Sequence, residues 1–257
     1  MVEAIAVASG KGGTGKTTAT LALGMGLAEH YDVTVIDTDT GMANLLFHAG
    51  LEDVPVTLQD LLLDGSSVPV SEAVYDRFGM HIVPCGTSLE AFREADPERL
   101  QAVVADLAEG TDVLLLDSPA TLGSRDAVLP IVIADRIVLV VQPTSPAITD
   151  GLKVQEYATA YGTGVAGLIF NKVHDPGEVE RISDRAGEYV EGPVLGTVPS
   201  DEAAREARKA GTPLLAHAPD SEAGRAFAEI ADAIDVAASP AAGVADRFRN
   251  AVIPDGP

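Results

Sequence analysis

Short, unbroken runs of apolar residues recur along the chain, and between them the apolar positions repeat with helical spacing. Such runs predict strands over residues 3–8, 33–37, 80–84, 113–117, 136–142, 165–171 and 194–198. Helices are expected over 16–30, 43–50, 58–63, 97–108, 147–161, 176–190, 201–210 and 221–236. In Val113-Leu114-Leu115-Leu116 and Ile137-Val138-Leu139-Val140-Val141 the apolar residues do not alternate with polar ones. A strand of that kind is covered on both faces, which implies a mostly parallel sheet between helices. The expected fold is α/β, a twisted sheet flanked by helices on both faces in three layers. Right-handed crossovers bring the C-terminal ends of the parallel strands to one side, where ligands of such sheets bind.

At 257 residues the chain suits one α/β domain, expected over 1–236. Ala237-Ala238-Ser239-Pro240-Ala241-Ala242-Gly243 reads as a linker, which leaves 237–257 as a short tail. No internal repeat or long low-complexity segment interrupts the pattern. No apolar stretch is long enough for a membrane-spanning helix. The start carries no basic leader, so a cytoplasmic protein is expected. Cys85 is the single cysteine, which excludes an internal disulfide or a Cys-x-x-Cys metal site within one chain. It reads as a buried thiol or, in a dimer, as one half of a shared site. The five histidines lack metal-ligand spacing.

Charge alters the picture more than composition does. With 39 acidic against 17 basic residues, the net charge is −22. That surface repels nucleic acid and anionic lipid, and it fits a host with a salty cytoplasm, such as a halophilic archaeon. Against so few cations, Lys11 and Lys16 stand together in one loop.

That loop is Gly10-Lys11-Gly12-Gly13-Thr14-Gly15-Lys16-Thr17, a G-x-x-x-x-G-K-[ST] pattern between a strand and a helix. Glycines let backbone N–H groups turn toward an anion, and the helix start adds positive potential. Lys16 is placed for the β- and γ-phosphates of a nucleotide, the Thr17 hydroxyl for Mg²⁺ and Thr18 for the α-phosphate. Carboxylates for the cation are expected where strands end. Asp37 and Asp39 close the second strand, and Asp117 closes Leu115-Leu116-Asp117 in a Walker B pattern. Each aspartate alone can equally be a cap or turn residue. Gathered around one phosphate loop, they point to a magnesium nucleotide.

With Thr18 added, the loop resembles the deviant Walker A motif of the MinD/ParA family, whose additional early lysine corresponds to Lys11. Asp37-Thr38-Asp39-x-Gly41-x-x-Asn44-Leu45 is similar to the family's switch I, and Asp117-Ser118-Pro119-Ala120 to its Walker B and switch II start. The likeness runs to about Leu214 and implies a P-loop NTPase fold. It implies ATP and Mg²⁺ as cofactors and a homodimer enclosing two ATP molecules. In that arrangement Lys11 reaches the partner's phosphates, Asp39 orients the attacking water, and Asp117 senses Mg²⁺ and the γ-phosphate. Thr17, Asp37 and Asp117 become the metal side of the site. Phe170-Asn171-Lys172 resembles the adenine-side segment. Gly196-Thr197-Val198-Pro199-Ser200-Asp201-Glu202, followed by Ala210-Gly211-Thr212-Pro213, resembles the loop over the purine.

Within the resemblance, a switch that positions division, motility or chemosensory machinery through a protein partner is the expected role. A ParA-type partition ATPase is the alternative, as is a nucleotide-dependent scaffold without significant hydrolysis. Nucleic acid is an unlikely partner for so acidic a surface. Asp150 is either a partner-facing acid or part of an acidic helix face. Val244, Phe248, Ala251 and Val252 share one helical face near Arg247 and Arg249, and Pro254 ends it. That allows weak association with the inner face of the membrane, strengthened by dimerisation, or a frayed tail.

Overall fold

The strands form where β-branched and leucine runs can be buried on both sides. The computed structural model describes residues 2–96, 98–120, 125–177, 179, 180, 182 and 190–237, with 125 and 126 described by backbone only. The strands are β1 Glu3–Ala8, β2 Val33–Asp37, β3 Tyr75–Arg77, β4 Met80–Val83, β5 Val113–Asp117, β6 Arg136–Val141, β7 Gly164–Val173 and β8 Val194–Pro199. They form one sheet in the order β3-β4-β2-β5-β1-β6-β7-β8. All neighbours pair in parallel except β3 with β4.

Every residue of β1, β2 and β5 is buried, as the unbroken runs require. Alternate residues of each strand feed two separate cores. Ala4, Ala6, Leu114, Leu116, Ile137 and Leu139 face one, and Ile5, Val7, Leu115, Val138 and Val140 face the other. The first core is closed by α3 Leu58–Leu62, α5 Arg99–Leu107, α6 Arg125–Ile133 and α7 Ser145–Ala160. The second is closed by α1 Lys16–Leu27, α2 Leu45–His48, α8 Glu202–Lys209, α9 Leu214–His217 and α10 Glu222–Asp232. The expected three layers are present. Helix α1 lies unusually close to its neighbours: a Cβ on Gly24 would meet Met80 Sδ and Val35 Cγ2, both at 2.8 Å.

Four elements escape the periodicity. Strand β3 has three residues and joins the sheet through a tight antiparallel hairpin. Helix α4, Leu89–Glu94, buries none of its residues and so carries no apolar stripe. Helix α6 has Pro130 inside it and an apolar run that also suits a strand. Helix α9 is a single turn. The helix expected over 176–190 lies largely outside the described residues. The tail from 238 onward, with its amphipathic stretch, lies wholly outside them. Among the described residues no helix is long and apolar enough to cross a membrane.

Candidate functional site

The phosphate loop leaves β1 at Ala8 and enters α1 at Lys16. Gly13 and Gly15 take φ values of 77° and 94°, the left-handed region that residues with a Cβ avoid. This turns successive N–H groups inward at the start of a twelve-residue helix. The loop is held from outside as well. Asn171 Nδ2 donates to the Thr14 carbonyl at 2.8 Å, and Lys172 Nζ donates to the Gly13 carbonyl at 2.6 Å. Ser9 Oγ donates to the Lys11 carbonyl at 2.8 Å. A Cβ on Gly10 would collide with the backbone of Asp150 on α7, and one on Gly15 with the Asn171 amide.

The carboxylates arrive through strand register. Asp37 and Asp117 are paired residues at the ends of adjacent strands β2 and β5, and both are buried. Thr38 sews the two ends together, donating to the Asp117 carbonyl from its N–H at 3.1 Å and from Oγ1 at 2.7 Å. The Asp117 carboxylate accepts from Thr17 Oγ1 at 2.6 Å and from Thr20 Oγ1 at 3.0 Å. Asp37 accepts from the N–H groups of Asp39 at 3.1 Å and Leu45 at 3.2 Å. Asp39 in turn accepts from the Met42 N–H at 2.9 Å, which fixes its loop as a turn.

Burial is the largest influence on these groups. It raises Asp117 to about 6, against the opposing pull of Thr17, Lys16 and Thr20. It raises Asp37 well above the carboxylate range, with the Asp117 charge adding to the effect. It lowers the Lys16 ammonium, while Asp117, Asp39 and Asp37 push back. Two buried acids and a buried lysine within electrostatic reach of one another are each penalised by burial for carrying charge. A magnesium nucleotide satisfies all three.

The residues fit that group. Thr17 donates its proton to Asp117, which leaves its oxygen lone pairs free for a cation. Thr14 Oγ1, Ser118 Oγ and Asn44 Oδ1 are buried at this end of the sheet without a hydrogen-bond partner. Such atoms mark places where solvent or ligand completes the structure. No cluster of three or more His, Cys, Asp and Glu side chains is set to hold a metal by itself among the described residues. Mg²⁺ needs only one or two carboxylates when phosphates supply other ligands.

The structure gathers the phosphate loop, Asp37, Asp39, Asp117 and Asn171 at one end of the sheet. Asn171 acts there on the loop itself: its amide holds the Thr14 carbonyl, and its Oδ1 accepts from the Lys172 N–H at 2.9 Å. Pro199 pairs with Val173 at the same end. Thr212 and Pro213 line a small cleft beside Thr18, with His48 and Arg208. There His48 is pushed down to about 4 by burial and by Arg208, so it is neutral near pH 7. Sequence reasoning left Lys172 and Thr20 without roles. Lys172 sits at φ 57°, and only its Asn-Lys pairing at a strand end hinted at a function.

Comparison with known proteins agrees with this geometry. The sequence model of the CobQ/CobB/MinD/ParA nucleotide binding domain matches residues 5–214. An uncharacterized ATP-binding protein of Methanocaldococcus jannaschii is 41% identical over 234 residues, 90% of this chain and 87% of its own. The septum site-determining protein MinD of Synechocystis sp. is 30% identical over 241 residues, covering 90% and 88%. The structure of MinD from Pyrococcus horikoshii complexed with Mg-ADP superposes with a TM-score of 0.82 at 32% identity, covering 91% of this chain and 96% of that one. With the deviant loop, the paired strand-end aspartates and the sheet order in place, the chain belongs to the MinD/ParA family of P-loop nucleotide-binding proteins.

Proposed function

We propose that this protein is an ATP-driven switch that dimerises on Mg-ATP, hydrolyses it, and positions other cellular machinery through a protein partner. The observation that carries the proposal is the presence at one end of the sheet of both Lys11, an extra cation in the phosphate loop, and Asp39, in the turn that follows β2. The first suits binding across a dimer, and the second suits hydrolysis. Likeness to septum site-determining proteins supports a task in division or a related positioning process.

In this reading the loop N–H groups and Lys16 bind and orient the phosphates. Thr17, Asp37 and Asp117 would form the metal side of the site when Mg²⁺ is bound. The ion supplies charge neutralisation at the phosphoryl oxygens when bound. Asp39 orients the attacking water and accepts its proton. Lys11 of each subunit places positive charge on the partner's phosphates, which couples dimerisation to ATP and stabilises the charge that develops during transfer. Asp117 binds Thr17 and Thr20 and is sewn to Thr38. A change at its carboxylate therefore moves both the loop carrying Asp39 and the segment beginning at Ser118. We place the protein in the cytoplasm, with any membrane contact made through the tail.

Light scattering of wild type and Lys11→Ala with Mg-ATP tests the switch. The wild type should double its mass and the variant should remain monomeric; a Lys11→Ala dimer would refute the role of Lys11. Turnover measured with liposomes, with DNA and with neither identifies the surface. Stimulation by DNA alone would favour a partition ATPase.

A further inference from the structure

Gln59 is a buried amide in the first turn of α3, on a helix whose Leu58, Leu61 and Leu62 are also buried. A polar side chain in such surroundings is costly unless both its ends are bonded. They are, and both partners lie in loops. Gln59 Nε2 donates to the Thr40 carbonyl at 3.4 Å, the residue after Asp39. Gln59 Oε1 accepts from the Ser88 N–H at 3.2 Å, at the start of α4.

The platform beneath the amide is stiff. Thr57 and Asp60 form a capping box, with Asp60 Oδ2 accepting from the Thr57 N–H at 2.7 Å and from Oγ1 at 2.8 Å. The Leu58 N–H donates to the Pro84 carbonyl at 2.8 Å, which ties the helix to the end of β4. The loop after β4 passes against the amide so closely that a Cβ on Gly86 would lie 2.5 Å from Gln59 Oε1. On the other side, Gly41 lies beside Phe92 of α4. The turn carrying Asp39 is therefore bracketed by Gln59 and α4.

We infer that Gln59 is a positioning residue. It anchors the Asp39 turn to a rigid helix start and to the α4 loop, and so sets the place of the water-orienting carboxylate. The kinetic half of this inference rests on Asp39 acting in ATP hydrolysis. A misplacement of about 1 Å in such a group lowers turnover by up to a hundredfold without touching substrate affinity.

The test compares wild type, Gln59→Met, Gln59→Asn and Asp39→Ala. Methionine keeps the length and volume and removes both bonds. Asparagine keeps the amide but is too short to span the two loops. Both Gln59 variants should lose about tenfold or more in kcat while the Kd for Mg-ATP stays within about twofold. Amide hydrogen exchange in residues 39–44 should accelerate, with residues 10–17 unchanged. Unchanged exchange at 39–44 in Gln59→Met overturns the inference whatever the turnover. Acceleration spread through the phosphate loop overturns it too, because the role would then be general packing. If wild type and Asp39→Ala turn over ATP equally, the hydrolytic reading fails instead, and the exchange data still decide the anchoring.

Discussion

The two ends of the sheet treat buried carboxylates in opposite ways. Where the strands begin, Glu3 is only 1% exposed and is closed on all sides. Arg136 donates to it from Nε at 2.5 Å and from Nη2 at 3.0 Å, and the Ala237 N–H donates at 2.7 Å. The same guanidinium reaches the Asp235 carbonyl, so the pair also fastens the end of the described chain. Where the strands finish, Asp37 and Asp117 are just as buried and sit one beside the other. Hydroxyls and amides bond them, yet burial raises both. A carboxylate met by its own arginine is part of the scaffold. Neighbouring carboxylates raised together, with no arginine of their own, suit a site that takes up a cation.

The largest expected effect separates the ends outright. Lys16→Ala should weaken ATP binding about a hundredfold or more by calorimetry, while Glu3→Gln should leave the Kd within twofold. A large affinity loss in Glu3→Gln would break the distinction.

Stability should move in opposite directions. Glu3→Gln leaves Arg136 without its charged partner and should cost about 3 kcal/mol in denaturant unfolding. Asp117→Asn should stabilise the nucleotide-free protein at pH 7.5 by on the order of 2 kcal/mol. The sign follows from the folded value of about 6 lying above the ordinary 3.8. The protonated form favours the folded state, so the stability this group contributes is present below pH ~4 and is lost as pH rises through about 6. The gain from asparagine should vanish toward pH 4. A gain that does not depend on pH would mean that packing, and not charge, separates the two acids.

Lys172→Met gives the smallest effect and the sharpest location. It frees the Gly13 carbonyl, so ATP affinity should fall about tenfold while unfolding changes by less than about 1 kcal/mol. An equal loss in stability would make Lys172 part of the scaffold, like Arg136.

Much of this was legible in the sequence because strand ends are local. Val35-Ile36-Asp37 and Leu115-Leu116-Asp117 state both the burial and the polar stop, and the glycine loop states its own conformation. The contacts that join segments were not legible. Thr20 reads as an ordinary helix residue until β5 places Asp117 beside it. Lys172 reads as a surface cation until a left-handed turn aims it at Gly13. Gln59 sits at an apolar position of a short helix, where no pattern predicts an amide. Helix α4 lacks the buried face from which amphipathicity is recognised. Periodicity reports what a segment buries, and these features depend on what a distant segment offers.

Gly10 carries one more consequence. The first residue of the phosphate loop lies against the backbone of Asp150, so a single added methyl group is a wedge between the loop and α7. The loop is thus seated on a helix from another part of the chain, and a shift of α7 along its axis would be felt at the phosphates as a change of shape before any charge moved. Gly10→Ala is the smallest lever that could force that shift, with every nucleotide-binding side chain left in place.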